Sequence, residues 1–272
     1  MELNGVFMNA RIQIENLSFK YPSRPGRSRS YIFRGLSAAF EAGSSVALLG
    51  PNGAGKSTLL NLLAGHLKPS EGRALIGGTD ISKMPADEAA KLVSVVPQEH
   101  HPAFNFTARD MILMGRAPHN GFFGIVSESD HEIVVEVSKK TDLEGLLDNE
   151  YTKLSGGERK RVILARAMAQ QTPVMLFDEP EAHLDIRHQH MFFKLISGLA
   201  RDENKLCIYS VHNPSLALRY SSVVILMDAV GENIIIGPTT EVMTCRNLET
   251  AYKVKFGMAE GGSMGALLYV ET

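Results

Sequence analysis

The sequence has 272 residues, 44% of them hydrophobic and 21% charged, with a formal net charge of -2. That length suits one large domain or a domain carrying a subdomain, in which roughly 75% of the unfolded chain's surface can be buried. The near-neutral charge gives no general field to gather nucleic acid, and no run approaches the ~20 apolar residues that cross a bilayer.

Residues 1–10 lack the basic-then-apolar order of a signal peptide, so a cytosolic protein is expected, with any membrane-spanning part supplied by a separate chain. Residues 11–21 alternate apolar and polar side chains and predict a strand of an antiparallel layer, closing on Tyr21. The basic, Pro/Gly/Ser-rich stretch 22–30, with Arg24, Arg27 and Arg29, then reads as a surface loop.

A strand over 46–49 leads into Gly50, Pro51, Asn52, Gly53, Ala54, Gly55, Lys56, Ser57 and Thr58, and a helix is expected over 58–64. Glycines in that loop leave backbone N–H groups free to close on phosphate oxygens, and the helix that follows turns its positive end to the same anion. In such a cradle Lys56 reaches β- and γ-phosphates and the Ser57 hydroxyl binds Mg²⁺. Gln98 follows Pro97 in a loop and is an ordinary polar residue when read alone.

Helical periodicity at 108–114 and 130–140, separated by the turn-rich 115–121, predicts a helical subdomain at about 99–154. It is expected to be inserted in an α/β core of about 1–98 and 155–272, so that the whole chain, 1–272, forms one domain. Ser155, Gly156, Gly157 and Glu158 combine a capping box with two glycines that leave N–H groups accessible at the start of a helix over 159–169. The apolar strand 174–177 delivers Asp178 and Glu179 at its carboxyl end, where α/β proteins place their ligands. Asp178 suits Mg²⁺, and Glu179 suits a general base, a role typically worth ~10²–10⁴ in rate.

Further apolar strands at 206–211 and 223–227 alternate with helices, the pattern of a parallel sheet, and His212 follows the first of them. Cys207 lies within that strand and Cys245 is remote from it; without metal-ligand spacing, both read as reduced structural thiols. A last strand-like piece covers 266–270, and no internal repeat or coiled coil is present. A phosphate cradle followed by a metal-binding acid, a candidate base and a lone histidine points to hydrolysis of ATP with Mg²⁺.

In this order the motifs resemble those of the nucleotide-binding subunit of ATP-binding cassette (ABC) transporters, over about residues 11–256. The resemblance implies a P-loop NTPase core with an N-terminal antiparallel β layer and an inserted α-helical subdomain. It also implies a head-to-tail homodimer sandwiching two ATP, in which Ser155 and Gly157 contact the γ-phosphate across the interface and Asp185 of the D-loop helps organise it. Tyr21 matches the aromatic that stacks on adenine, and His212 the switch histidine that contacts the γ-phosphate. Gln98 matches the glutamine that senses Mg²⁺ and the attacking water and links hydrolysis to the membrane partner. The implied partners are integral membrane permease subunits and, indirectly, an extracytoplasmic substrate-binding protein, with the chain peripheral on the cytoplasmic face of the membrane and no nucleic acid bound.

Three departures stand out: Pro180-Glu-Ala-His-Leu-Asp185 replaces the commoner Pro-Thr-Ser-Ala-Leu-Asp, Asn213 replaces an aspartate, and Lys160 replaces a frequent glutamine. Lys160, between Arg159 and Arg161, reads as part of an anion-facing patch or of a solvated face. Segments 114–119, 166–170 and 237–243 resemble the branch that imports iron-siderophores, haem and cobalamin. There His100, His101 and His119 are loop histidines, since such a subunit does not touch the cargo. The competing reading is a soluble ABC ATPase acting on nucleic acid or ribosomes, but the chain carries one cassette and neither a coiled-coil nor a zinc insertion. A regulatory module that only holds ATP is opposed by the joint presence of Lys56, Glu179 and His212.

Overall fold

The computed structural model describes residues 10–22, 31–98, 100, 104–120, 125–229, 231, 233–260 and 266–270. Most of the basic loop, with Arg24, Arg27 and Arg29, lies outside the described residues, as does His101. The first strand, β1 (Ala10–Phe19), buries Ile12 and Ile14 but then Leu17 and Phe19, a switch from even to odd positions. A register shift between Ile14 and Leu17, with Asn16 at φ 48°, supplies the extra residue that keeps both pairs on the core face. β1 pairs antiparallel with β2 (Phe33–Glu41) and β4 (Glu71–Ile76), and β5 (Thr79–Asp80) completes a four-stranded layer.

The second sheet has six strands, in the order β10 (Ile234–Pro238), β9 (Val223–Met227), β3 (Ser45–Leu49), β8 (Leu206–Ser210), β7 (Val174–Phe177) and β6 (Val93–Val96). All neighbours are parallel except β10, which runs antiparallel to β9. Both faces are covered, so these strands read as continuous apolar runs. Their alternate side chains still divide between two cores: Ala47, Leu49, Met175, Phe177, Cys207 and Tyr209 face one, Val46, Leu48, Val174, Leu176, Leu206 and Ile208 the other. The second core is closed by the antiparallel layer and helix α1 (Lys56–Leu63). Expected strands over 46–49, 174–177, 206–211 and 223–227 are thus present; β2, β4, β6 and β10 carried no separate sequence signal.

The first core continues into the helical part: α3 (Ala108–Leu113), a 3-10 turn (Met114–His119), α4 (Glu128–Lys140) and α5 (Gly156–Ala169). Capping boxes at Thr107/Asp110, Ser127/Asp130 and Ser155/Glu158 start these helices. The helix α6 (Ile186–Glu203) is capped by Asp185, and α7 (Pro214–Tyr220) by Asn213. Residues Cys245–Tyr252 form α9, preceded by the short α8 (Thr239–Val242), and a hairpin of β11 (Phe256–Glu260) with β12 (Ala266–Val270) follows. Between β5 and β6 lies α2 (Ala86–Leu92). Among the described residues no helix is long and apolar enough to cross a membrane. Both cysteines are free thiols, and burial pushes that of Cys207 up to about 12.

Arg116 is buried where the 3-10 turn meets α4 and the end of α5. Its Nε donates to Asp130 Oδ1 at 2.8 Å, and Nη1 to the Ala169 carbonyl at 2.7 Å and Gln171 Oε1 at 3.0 Å. The guanidinium, with help from Ser127, holds the Asp130 carboxyl down from 3.8 to about 2. Removing one partner strands the other as a buried charge, so Arg116→Ala should cost about 3–5 kcal/mol in urea unfolding at neutral pH. Because the folded carboxyl is the depressed one, the pair stabilises above 3.8 and loses its effect as pH falls toward about 2. The stability gap between Arg116→Ala and the unsubstituted protein should narrow over that interval.

Candidate functional site

Strands β3, β6, β7 and β8 all run toward the same end of the sheet, and within two residues of their last positions come Gly50, Gln98, Asp178 and His212. The phosphate loop leaves β3 with Gly50 at φ 151°, where a Cβ would come within 2.5 Å of the Met227 carbonyl oxygen. Gly55, at φ 102°, is the N-cap of α1, and a Cβ there would meet Ile32 Cγ2 at 2.5 Å. Only glycine fits both positions. Asn52 and Gly53 form the exposed crown, whereas Ala54, Lys56 and Thr58 are buried. The Lys56 ammonium donates to the carbonyls of Gly50 (2.8 Å) and Pro51 (3.2 Å). Burial lowers its pKa, opposed by the nearby Glu179, Asp178 and Glu181.

Two oxygens that suit a hard cation meet beside the loop: Ser57 Oγ donates to Asp178 Oδ1 at 2.9 Å. Ser210 Oγ donates to the same carboxylate oxygen at 2.7 Å and accepts the Glu179 main-chain N–H at 2.7 Å. Among the described residues no group of three or more His, Cys, Asp or Glu side chains could cage a metal by itself. One hydroxyl and one carboxylate instead fit a magnesium ion shared with phosphates and water. Glu179 has φ 44°, and its carboxylate takes two contacts. Gln98 Nε2 donates to Oε2 at 2.8 Å, and His212 Nε2 lies 2.6 Å from Oε1, a separation that needs a proton between them.

Lys56, Ser57, Gln98, Asp178, Glu179 and His212, widely separated in sequence, therefore converge. Tyr21 lies next to α1: its hydroxyl is 3.0 Å from Thr58 Oγ1, its ring meets Phe19 edge-on at 4.9 Å, and the side chain is half exposed. The other expected nucleotide-contacting residues are held by local contacts, and Gly156 lines a cleft together with Gln98 and Lys160. Ser155 and Glu158 bond to each other, and a Cβ on Gly157 would face His188 and Leu184. Asp185 accepts from the His188 main chain and lies 2.8 Å from its Nδ1.

The Lys160 ammonium donates to the Gln98 carbonyl, a backbone contact that the sequence alone did not suggest. Both described loop histidines serve the fold: His100 Nε2 lies 2.5 Å from Arg166 Nη1, and His119 Nε2 2.9 Å from the Gln170 carbonyl. Three residues of the site had no role assigned from the sequence: Ser210, Glu181, noted only within the departure at 180–185, and Tyr252, whose hydroxyl accepts the Gly50 N–H at 3.0 Å. For Ser210 a signal existed, a lone hydroxyl closing an otherwise apolar strand beside the Asp-Glu pair.

The sequence profile of the ABC transporter family matches residues 33–182. An iron chelatin transport ATP-binding protein of Helicobacter pylori is 35% identical over 243 residues, covering 89% of this chain and 92% of that protein. A cobalamin import ATP-binding protein of Halobacterium salinarum is 35% identical over 230 residues, 85% of this chain but 57% of its own length. A metal-chelate type ABC transporter, solved in an inward-facing conformation, superposes with a TM-score of 0.83 and 27% identity, covering 97% of both chains. The chain belongs to the ABC transporter family, and its fold is that of the ATP-binding cassette.

Ser210 is fully buried and joins both acidic residues. Ser210→Ala leaves the Glu179 N–H without its acceptor and should cost about 1–3 kcal/mol in urea unfolding. The same variant should lower ATP turnover, because Glu179 then loses the contact that fixes its backbone.

Proposed function

We propose that the chain is the ATP-hydrolysing subunit of an ABC importer, energising uptake of an iron-chelate, haem or cobalamin type substrate through a separate membrane permease. The observation that carries this reading is the convergence of Gln98 and His212 on the two oxygens of Glu179, at 2.8 and 2.6 Å, beside Lys56 and Ser57 of the phosphate loop. Substrate class is supported by relatives named for iron chelatin, cobalamin and hemin import. No observation favours the soluble ATPase acting on nucleic acid or ribosomes.

In this mechanism the backbone N–H groups of residues 50–58 hold the β-phosphate, and Lys56 exchanges its bonds to the Gly50 and Pro51 carbonyls for phosphate oxygens. Ser57 and Asp178, with Gln98 beside them, would hold Mg²⁺, which when bound supplies charge neutralisation on the β- and γ-phosphates. Tyr21 offers its ring to adenine, a stacking contact worth about 1–3 kcal/mol. Glu179 accepts a proton from water as the water oxygen attacks the γ-phosphorus; the bond from phosphorus to the β–γ bridging oxygen breaks, releasing ADP and phosphate. His212 steadies the γ-phosphate, and Gln98 orients the water.

In this reading the site is completed by a second copy, with Ser155, Gly156, Gly157 and Glu158 closing on the partner's nucleotide and Asp185 at the seam. The helical part, about 99–154, is the subdomain that meets the permease, and the exposed Phe104, Met114 and Ile125 give it an apolar surface. The chain itself thus sits peripherally on the cytoplasmic side, and an extracytoplasmic binding protein delivers cargo to the permease.

Glu179→Gln keeps the shape of the site but removes the base, so hydrolysis should fall by about 10²–10⁴. The tagged variant, held closed by ATP with Mg²⁺ in detergent-solubilised host membranes, should retain a polytopic permease on pull-down. Recovery of only ribosomes, nucleic acid or soluble proteins overturns the importer reading.

A further inference from the structure

The departure at Pro180-Glu-Ala-His places a carboxyl group where it has no part in the chemistry above, yet Glu181 is 6% exposed. A side chain of this kind is rarely buried without a polar task. Its Oε1 accepts the main-chain N–H of His212 at 2.7 Å, while Oε2 is buried with no hydrogen-bond partner. The parallel ladder ends one residue earlier, where the Val211 N–H bonds to the Leu48 carbonyl, and α7 takes over at its N-cap Asn213. His212 is therefore a single-residue joint between strand and helix. Its backbone donor has neither a strand nor a helix partner, and Glu181 supplies one.

The turn that carries Glu181 is itself fixed. The Glu181 carbonyl accepts the Leu184 N–H at 3.1 Å, and Gln189 Nε2 lies 3.4 Å from it and 3.0 Å from the Leu184 carbonyl. Holding the His212 backbone in place determines where its imidazole can reach, and the imidazole meets Glu179 at 2.6 Å. We propose that Glu181 is the positioning residue of His212, aiming the imidazole at Glu179 and at the γ-phosphate through the His212 main-chain N–H. Burial raises the Glu181 pKa, so a neutral amide that keeps an acceptor oxygen is a close mimic of the side chain in this place. The assignment rests on the reading of His212 as part of the hydrolytic site.

The test is steady-state ATP hydrolysis by the full chain with Mg²⁺, comparing Glu181→Leu, Glu181→Gln, His212→Ala and the double variant Glu181→Leu/His212→Ala. His212→Ala should lower kcat by about tenfold or more, and Glu181→Leu by roughly tenfold with KM for ATP within about twofold, the pattern of an interaction made in the transition state. Glu181→Gln should restore most of the rate. The double variant should be no slower than His212→Ala alone, because a residue that acts only through another adds nothing once that other is gone. Should Glu181→Leu fail to fold, Glu181→Asp, which withdraws the acceptor by one methylene, carries the same comparison. A wild-type kcat in Glu181→Leu beside an impaired His212→Ala overturns the positioning role alone, as do losses that multiply in the double variant. A wild-type kcat in His212→Ala overturns the reading of the site, and the inference with it.

Discussion

Everything in the candidate site depends on how the backbone groups are satisfied where a parallel sheet stops. Beyond the carboxyl ends of β3, β6, β7 and β8 the ladder no longer takes up N–H and C=O groups, and a buried orphan costs about 1–3 kcal/mol. Side chains answer for them here. Ser210 takes the Glu179 N–H, Glu181 that of His212 and Tyr252 that of Gly50; Lys56 covers the Gly50 and Pro51 carbonyls, and Lys160 that of Gln98. The groups that finish the sheet are thus the ones that hold the proposed reactive side chains in place, so stability and chemistry are coupled at the same atoms.

The turn at Glu179 shows what this coupling achieves. A non-glycine residue at φ 44° costs of order 1–3 kcal/mol and persists only where its surroundings hold it. Those surroundings are the Ser210 hydroxyl on its N–H and the paired contacts on its carboxylate. Leaving the extended conformation at this point lets neighbouring residues serve different partners. Asp178 stays with Ser57 and Ser210, while Glu179 is presented to Gln98 and His212. One strained residue separates the metal-type oxygen from the base-type carboxylate.

How much of this was legible in the sequence follows from which signals are local. The glycines of the phosphate loop, the capping box at Ser155 and the apolar strand before Asp178 each announce themselves within a few residues, and each is present. β1 was readable as a strand, but the shift that moves its core face from Ile14 to Leu17 depends on pairing with β2, which no pattern in 11–21 reveals. Lys160, Ser210, Glu181 and Tyr252 were illegible for the same reason. Their partners lie 62, 31, 31 and 202 residues away, so only the folded chain shows that they meet a backbone group. Arg116 is instructive in a different way: it belongs to a segment read as a family resemblance, yet its contacts with Asp130, Ala169 and Gln171 show that it fastens helical elements together.

Those fastenings bear on how a membrane partner and a nucleotide could sense each other. The helix α5 spans 14 residues, and its first turn carries the Ser155 capping box while the Ala169 carbonyl near its end receives Arg116. Between them, Lys160 bonds to the Gln98 carbonyl and Arg166 to His100, so one rod grips the loop after β6 twice and the 3-10 turn once. Gln98 is in turn bound to Glu179. A displacement of α3 and α4 relative to the sheet would be carried by α5, whose rise of about 1.5 Å per residue makes it a stiff lever on this scale. The same helix contacts the loop that holds the proposed water-orienting amide. The path has few links, each a directional hydrogen bond to a side chain or carbonyl, and at one of them the donor, Lys160, carries a full charge.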